Sequence, residues 1–100
     1  MTQLSEMNIN EYDKRQLSLM KETLNSYLTN KISLKKLIDD LEGLLYILED
    51  IDIDWKNEFH EQWFVLEQVF AVALFRDEII EPNDPDIDSA ITHLEKLLTS

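Results

Sequence analysis

Apolar residues recur three and four positions apart along most of the chain, and four runs can be separated. That spacing marks amphipathic helices. The first run spans about residues 10–28, with Leu17, Met20, Leu24, Tyr27 and Leu28 on its stripe and Asn8 or Asn10 as candidate N-cap. After a short connection over 29–32, Ser33 stands where a cap belongs. The second helix is predicted over 34–50, its stripe being Leu34, Leu37, Ile38, Leu41, Leu44, Leu45 and Leu48. Gly43 inside it costs about 1 kcal/mol relative to alanine, which points to close packing against a neighbouring helix. The third helix is predicted from Asp54, as N-cap, to about 77. Trp55, Phe59, Trp63, Leu66, Phe70 and Ala73 lie along one side, and Phe64, Val65, Val69, Val72 and Phe75 widen the apolar surface. A helix apolar on most sides is usually enclosed by others, so its second half is expected to be the central element. Residues 81–86, EPNDPD, read as a loop with Asp84 as N-cap and Pro85 as first helical residue. Asp86 and Asp88 complement the dipole of the last helix. That helix carries Ile87, Ile91, Leu94 and Leu98 on one face, joined by Ala90 and Leu97.

No strand-like alternation of useful length interrupts these runs. The expected fold is all-α, an antiparallel four-helix bundle-like single domain over 10–100 behind an N-terminal tail, 1–9. Composition agrees: 44% of the 100 residues are hydrophobic, enough for one small core, and one glycine and two prolines leave few helix breakers. Cysteine is absent, so disulfides and thiolate metal sites play no part. The start, MTQLSEMNINEYDKRQ, lacks the pattern of a secretory signal. The most apolar stretch, 63–75, is too short to span a bilayer. A cytoplasmic protein is expected.

Charge changes the picture more than composition does. The net charge is -12, and it is lopsided. Residues 1–36 hold four acids and six bases, whereas 37–100 hold seventeen acids and only Lys56, Arg76 and Lys96 as bases. Such a field repels nucleic acid and anionic lipid and attracts basic proteins or cations. Lys31, Lys35 and Lys36 form the one basic cluster and read as a solvated helix start rather than a phosphate-binding patch. A protein that mimics nucleic acid, and so occupies a DNA- or RNA-binding partner, fits the charge better.

Candidate chemistry is sparse. A di-iron bundle site needs Glu-x-x-His pairs, but Asn57 and Ala90 stand three before His60 and His93. His60 is expected on a partly exposed face and His93 on a solvated one. Calcium has a stronger case. From Asp50, acids at Asp52, Asp54 and Glu61 match EF-hand loop spacing, although Trp55 replaces the turn glycine and Asn57 an aliphatic contact. A second partial match runs from Asp84 through Asp86 and Asp88 to Glu95. Helix capping and solvated acid account for both stretches more simply. No phosphate loop or cysteine nucleophile is present, so neither an enzyme nor a cofactor is expected. Trp55, Phe59 and Trp63, four apart, read either as core or, at Trp55, as an exposed aromatic anchor ringed by acids.

The segment 37–74, LIDDLEGLLYILEDIDIDWKNEFHEQWFVLEQVFAVAL, resembles the central region of small acidic all-helical immunity proteins from bacterial toxin–immunity pairs. These include contact-dependent growth inhibition and polymorphic toxin systems. The likeness lies in the Leu-rich helix with Asp39, Asp40 and Glu42, the acidic turn, Trp55, and the run Glu58, Trp63, Leu66, Glu67. It implies a protein that binds a cognate toxin, often a basic nuclease, and blocks its active site. It implies no defined contact set. From the charge itself, Glu42, Glu49, Asp50, Asp52, Asp54, Glu58 and Glu61 are the expected partner-binding acids, with Trp55 as apolar anchor. No direct nucleic-acid or membrane contact is expected, and the protein should be a monomer or weak homodimer. The alternative is an acidic helical adaptor or regulatory protein, homodimeric through the apolar excess of the third helix; calcium binding is a third reading.

Overall fold

A computed structural model of the chain describes residues 3–81 and 83–99. Pro82 in the expected loop, and the outermost residues of the expected tail and domain, lie outside them. Four α-helices follow a single 3-10 turn at Leu4–Glu6: α1 Glu11–Leu28, α2 Leu34–Tyr46, α3 Ile53–Phe75 and α4 Pro85–Thr99. No strand occurs among the described residues. Each helix packs on its neighbour in sequence, and α1 against α4 closes the ring. The architecture is the expected all-helical bundle. Leu4 is buried, and its turn packs on α4, so this part of the expected tail belongs to the core.

Each helix start has a chemical cause. The side chain of Asn10 accepts the Asp13 backbone N–H at 2.7 Å, and Ser33 Oγ accepts that of Lys36 at 3.2 Å. Asp84 Oδ1 accepts the N–H groups of Asp86 and Ile87 at 2.9 and 3.2 Å, as the Asp-Pro pair predicts. Each satisfies a donor that the first helical turn leaves unpaired. The third helix departs from expectation. Its cap is Asp52, which accepts the Asp54 N–H at 2.8 Å, and Asp54 sits inside the first turn.

Inward stripes of all four helices form one core. Trp55 and Phe59 stack with ring centroids 5.2 Å apart and are fully buried. Each indole N–H finds a backbone acceptor across a helix interface: Trp55 Nε1 donates to the Leu97 carbonyl at 3.1 Å, and Trp63 Nε1 to that of Ile38 at 2.8 Å. These bonds fix the register of α3 against α4 and α2 as well as satisfying a buried polar atom.

Two expectations fail here. The buried residues of α3 are Trp55, Phe59, Trp63 and Leu66, all in its first two thirds. The second half is peripheral, with Val72, Leu74 and Phe75 exposed. Length explains this. The 23 residues of α3 span about 34 Å, whereas the 13 of α2 span about 20 Å, so the neighbours end before α3 does. Gly43 is exposed, and a Cβ added to it would meet nothing within 4 Å. Close packing does not explain this glycine.

Candidate functional site

The α2–α3 junction carries Glu49, Asp50 and Asp52 within six residues and no base, and one buried carboxylate shapes it. The pattern predicts that α2 continues to 50, but it stops at Tyr46. A continuing helix would direct the N–H groups of Glu49 and Asp50 to carbonyls one turn back. Asp13, fully buried in the first turn of α1, takes both instead. Its Oδ1 accepts the Glu49 N–H at 2.9 Å and its Oδ2 the Asp50 N–H at 2.8 Å. Hydrogen bonds to an ionised acceptor are the strong kind, and the α1 N-terminus favours negative charge there. Leu48 and Ile51 turn inward on either side and are buried, which leaves Glu49 and Asp50 exposed between them.

The expected contact acids divide as follows. Glu49, Asp50, Asp52 and Asp54 fall within one short exposed segment. Glu61 and the half-buried Glu58 continue along α3 on the face of Asp54, at spacings of four and three. Glu42 is exposed on the preceding helix, apart from this group in the chain. One carboxylate oxygen of Glu58, Oε2, is buried without a hydrogen-bond partner. Among the described residues the ion pairs are Lys14–Glu11, Lys35–Asp39, Lys36–Asp40 and Arg76–Glu78. None of the seven expected acids takes part in them.

Trp55 cannot be the apolar anchor, because it is fully buried and its indole is committed to α4. Exposed apolar side chains do flank the turn, however: Tyr46 is 84% exposed, Ile53 is 63%, and Ile47 is also exposed. Sequence reasoning missed Tyr46 and Ile47 by placing them inside a continued helix. It missed Asp13 altogether. The Asn10–Asp13 spacing marks a capped first turn, but nothing local points to a clamp on residues 36 and 37 positions away.

The calcium-loop reading does not survive the geometry, since residues 53–61 are helical and cannot wrap an ion as a loop does. Asp86, Asp88 and Glu95 likewise lie within α4. No group of three or more His, Asp or Glu among the described residues is placed to hold a metal ion. His60 is exposed, its ring centroid 5.2 Å from that of Trp63. His93, expected on a solvated face, is half-buried, and its Nε2 is enclosed without a partner. Lys35 and Lys36 each pair with an acid one turn on, as a solvated helix start would.

A groove of about 620 Å³ lies between the end of α3 and the segments 78–81 and 84–86, with Val69, Val72, Ile79 and Ile80 in its lining and Glu78, Glu81, Asp84 and Asp86 around them. No helix among the described residues is long and apolar enough to cross a membrane. No known family, curated protein or solved structure matches the chain.

Proposed function

We propose that this protein is an inhibitory binding protein, an immunity protein of the toxin–immunity type, which neutralises a basic toxin domain in the cytoplasm by covering its active site. A nuclease is the natural target, because a phosphate-binding groove is basic and an acidic surface competes for it. One observation carries the reading. Asp13 holds the backbone of the 49–54 turn, while the turn's carboxylates stay exposed and outside the ion pairs formed among the described residues. Acids fixed before binding lose less freedom on association, and an unneutralised field raises the encounter rate. The expected role of Trp55 passes to Tyr46 and Ile53, exposed apolar side chains that flank the acids, with Trp55 holding α3 in place behind them. The protein acts by occlusion and catalyses nothing.

Capture of a partner from the source cell with this protein as bait, followed by stopped-flow association, tests the reading. A basic toxin domain should be retained, and its association should slow at least tenfold between low and high salt. Tyr46→Ala should speed dissociation. An acidic or neutral partner, or a salt-independent association rate, overturns the reading.

A further inference from the structure

The face of α3 turned away from the bundle carries a second apolar stripe. Phe64, Gln68, Ala71 and Phe75 follow one another at four, three and four positions, and all are exposed. Val72 and Leu74 flank them. Glu67 and Asp77 bound the longest acid-free run after residue 36. Phe64, Val72, Leu74 and Phe75 are 44, 49, 71 and 92% exposed, which leaves about 450 Å² of apolar surface if each side chain offers ~150–200 Å². A standard protein interface takes about 800 Å² from each partner, and in homodimers about 65% of it, roughly 520 Å², is apolar. The uncovered stripe therefore supplies most of the apolar area that one side of a homodimer interface needs.

We propose that a second copy of this chain covers the stripe, α3 packing antiparallel on α3 of the copy. The spacing four–three–four reads the same in both directions. A two-fold axis between Gln68 and Ala71 thus sets Phe64 of each copy beside Phe75 of the other, and Gln68 beside Ala71. A self-complementary patch of this kind is what a two-fold dimer requires. The small side chain of Ala71 lets the two helices approach between the phenylalanines. Antiparallel packing also opposes the helix dipoles and holds Asp54, Glu58 and Glu61 of one copy far from the same acids of the other. Mutual repulsion of two acidic chains is screened over about 8–10 Å at physiological salt. The dimer therefore tightens as salt rises, the reverse of binding to a basic partner, so the two proposals stand or fall separately.

Sedimentation equilibrium of the full chain over a concentration series, at low and high salt, tests this. The wild type should form a two-chain species that becomes more populated with salt. Ala71→Arg, or independently Phe75→Glu, should leave only single chains with unchanged helical circular dichroism, since both positions are exposed. A wild type that stays a single chain at high micromolar concentration overturns the proposal. So does a dimer that survives both substitutions, which would place the contact elsewhere.

Discussion

Removing the carboxylate of Asp13 should cost more stability than neutralising any acid of the turn it holds. Asp13→Ala strands two partly buried backbone N–H groups, each worth about 1–3 kcal/mol when left without an acceptor. A loss of about 3 kcal/mol is expected in urea denaturation. Asp13→Asn should lose roughly half of that, because one amide oxygen serves one donor and the amide NH₂ confronts the other. Glu49→Gln and Asp50→Asn, whose side chains face solvent, should leave the midpoint unchanged. Equal effects at the three positions would mean that the clamp does not hold the turn. Tyr27 gives a pH-dependent counterpart. Partial burial, then the charges of Asp88 and Asp84, push its phenol above the ordinary tyrosine value. The neutral phenol is thus favoured in the folded state. Its stabilisation is complete below the unfolded value near 10 and is lost as pH rises through the raised folded value. An absorbance titration should show a phenolate step above 10 that vanishes in Tyr27→Phe. If the step lost in Tyr27→Phe lies at the ordinary value, neither burial nor Asp88 and Asp84 reach the phenol.

Helix existence was legible from the three-and-four spacing, and helix ends were legible only where a local cap sets them. Asn10, Ser33 and Asp84 act within three residues of themselves, so their helices begin where the pattern places them. The end of α2 was not legible, because Asp13 decides it from another helix. The start of α3 moved from Asp54 to Asp52 for a related reason: once the turn is pinned at residue 50, Asp52 is the acid whose side chain receives the first free N–H. Two ends follow a different rule. Asn30 and Asp77 adopt left-handed φ values of 62° and 55° and close α1 and α3. In each case the next residue's N–H returns to the carbonyl five positions back, Lys31 to Ser26 and Glu78 to Ala73, both at 2.8 Å. Glycine usually fills such positions, whereas the single glycine of this chain lies in the interior of α2. With no positive φ to require it and open space where a side chain would go, Gly43→Ala should raise stability by about 0.5–1 kcal/mol. Thermal melting checks this. A lower melting temperature would mean that the bare backbone there has a neighbour in solution.

At the scale of the whole molecule, apolar and acidic surfaces are separated along α3. Its first half buries aromatics on one side and shows Asp54 and Glu61 on the other, and its second half shows phenylalanines with no acid between Glu67 and Asp77. The radius of gyration is 13.6 Å, yet the longest axis is 44 Å against 20 Å for the shortest. Charge segregation was readable by counting, but which aromatics face water was not. Trp55 and Phe75 are both large aromatics, and the face of α3 each occupies, together with the shorter neighbouring helices, puts one inside and the other outside. The two proposed contacts therefore carry opposite salt signatures. Association through the 49–54 turn should weaken with ionic strength, by at least tenfold in rate, and pairing through Phe64 and Phe75 should strengthen. Glu49→Gln combined with Asp50→Asn should slow the first and leave the second no weaker, and stopped-flow and sedimentation read the two separately. A parallel loss of both would mean a single shared surface.

The clamp on the acidic turn engages main-chain N–H groups and no side chain of residues 49 or 50. Every amino acid except proline supplies that group. The turn is therefore a socket whose shape is independent of what is displayed on it, and its two outermost positions can be rewritten, in sign as well as size, without refolding the helices that carry them. A change of partner would begin at these two positions, with Asp13 left untouched.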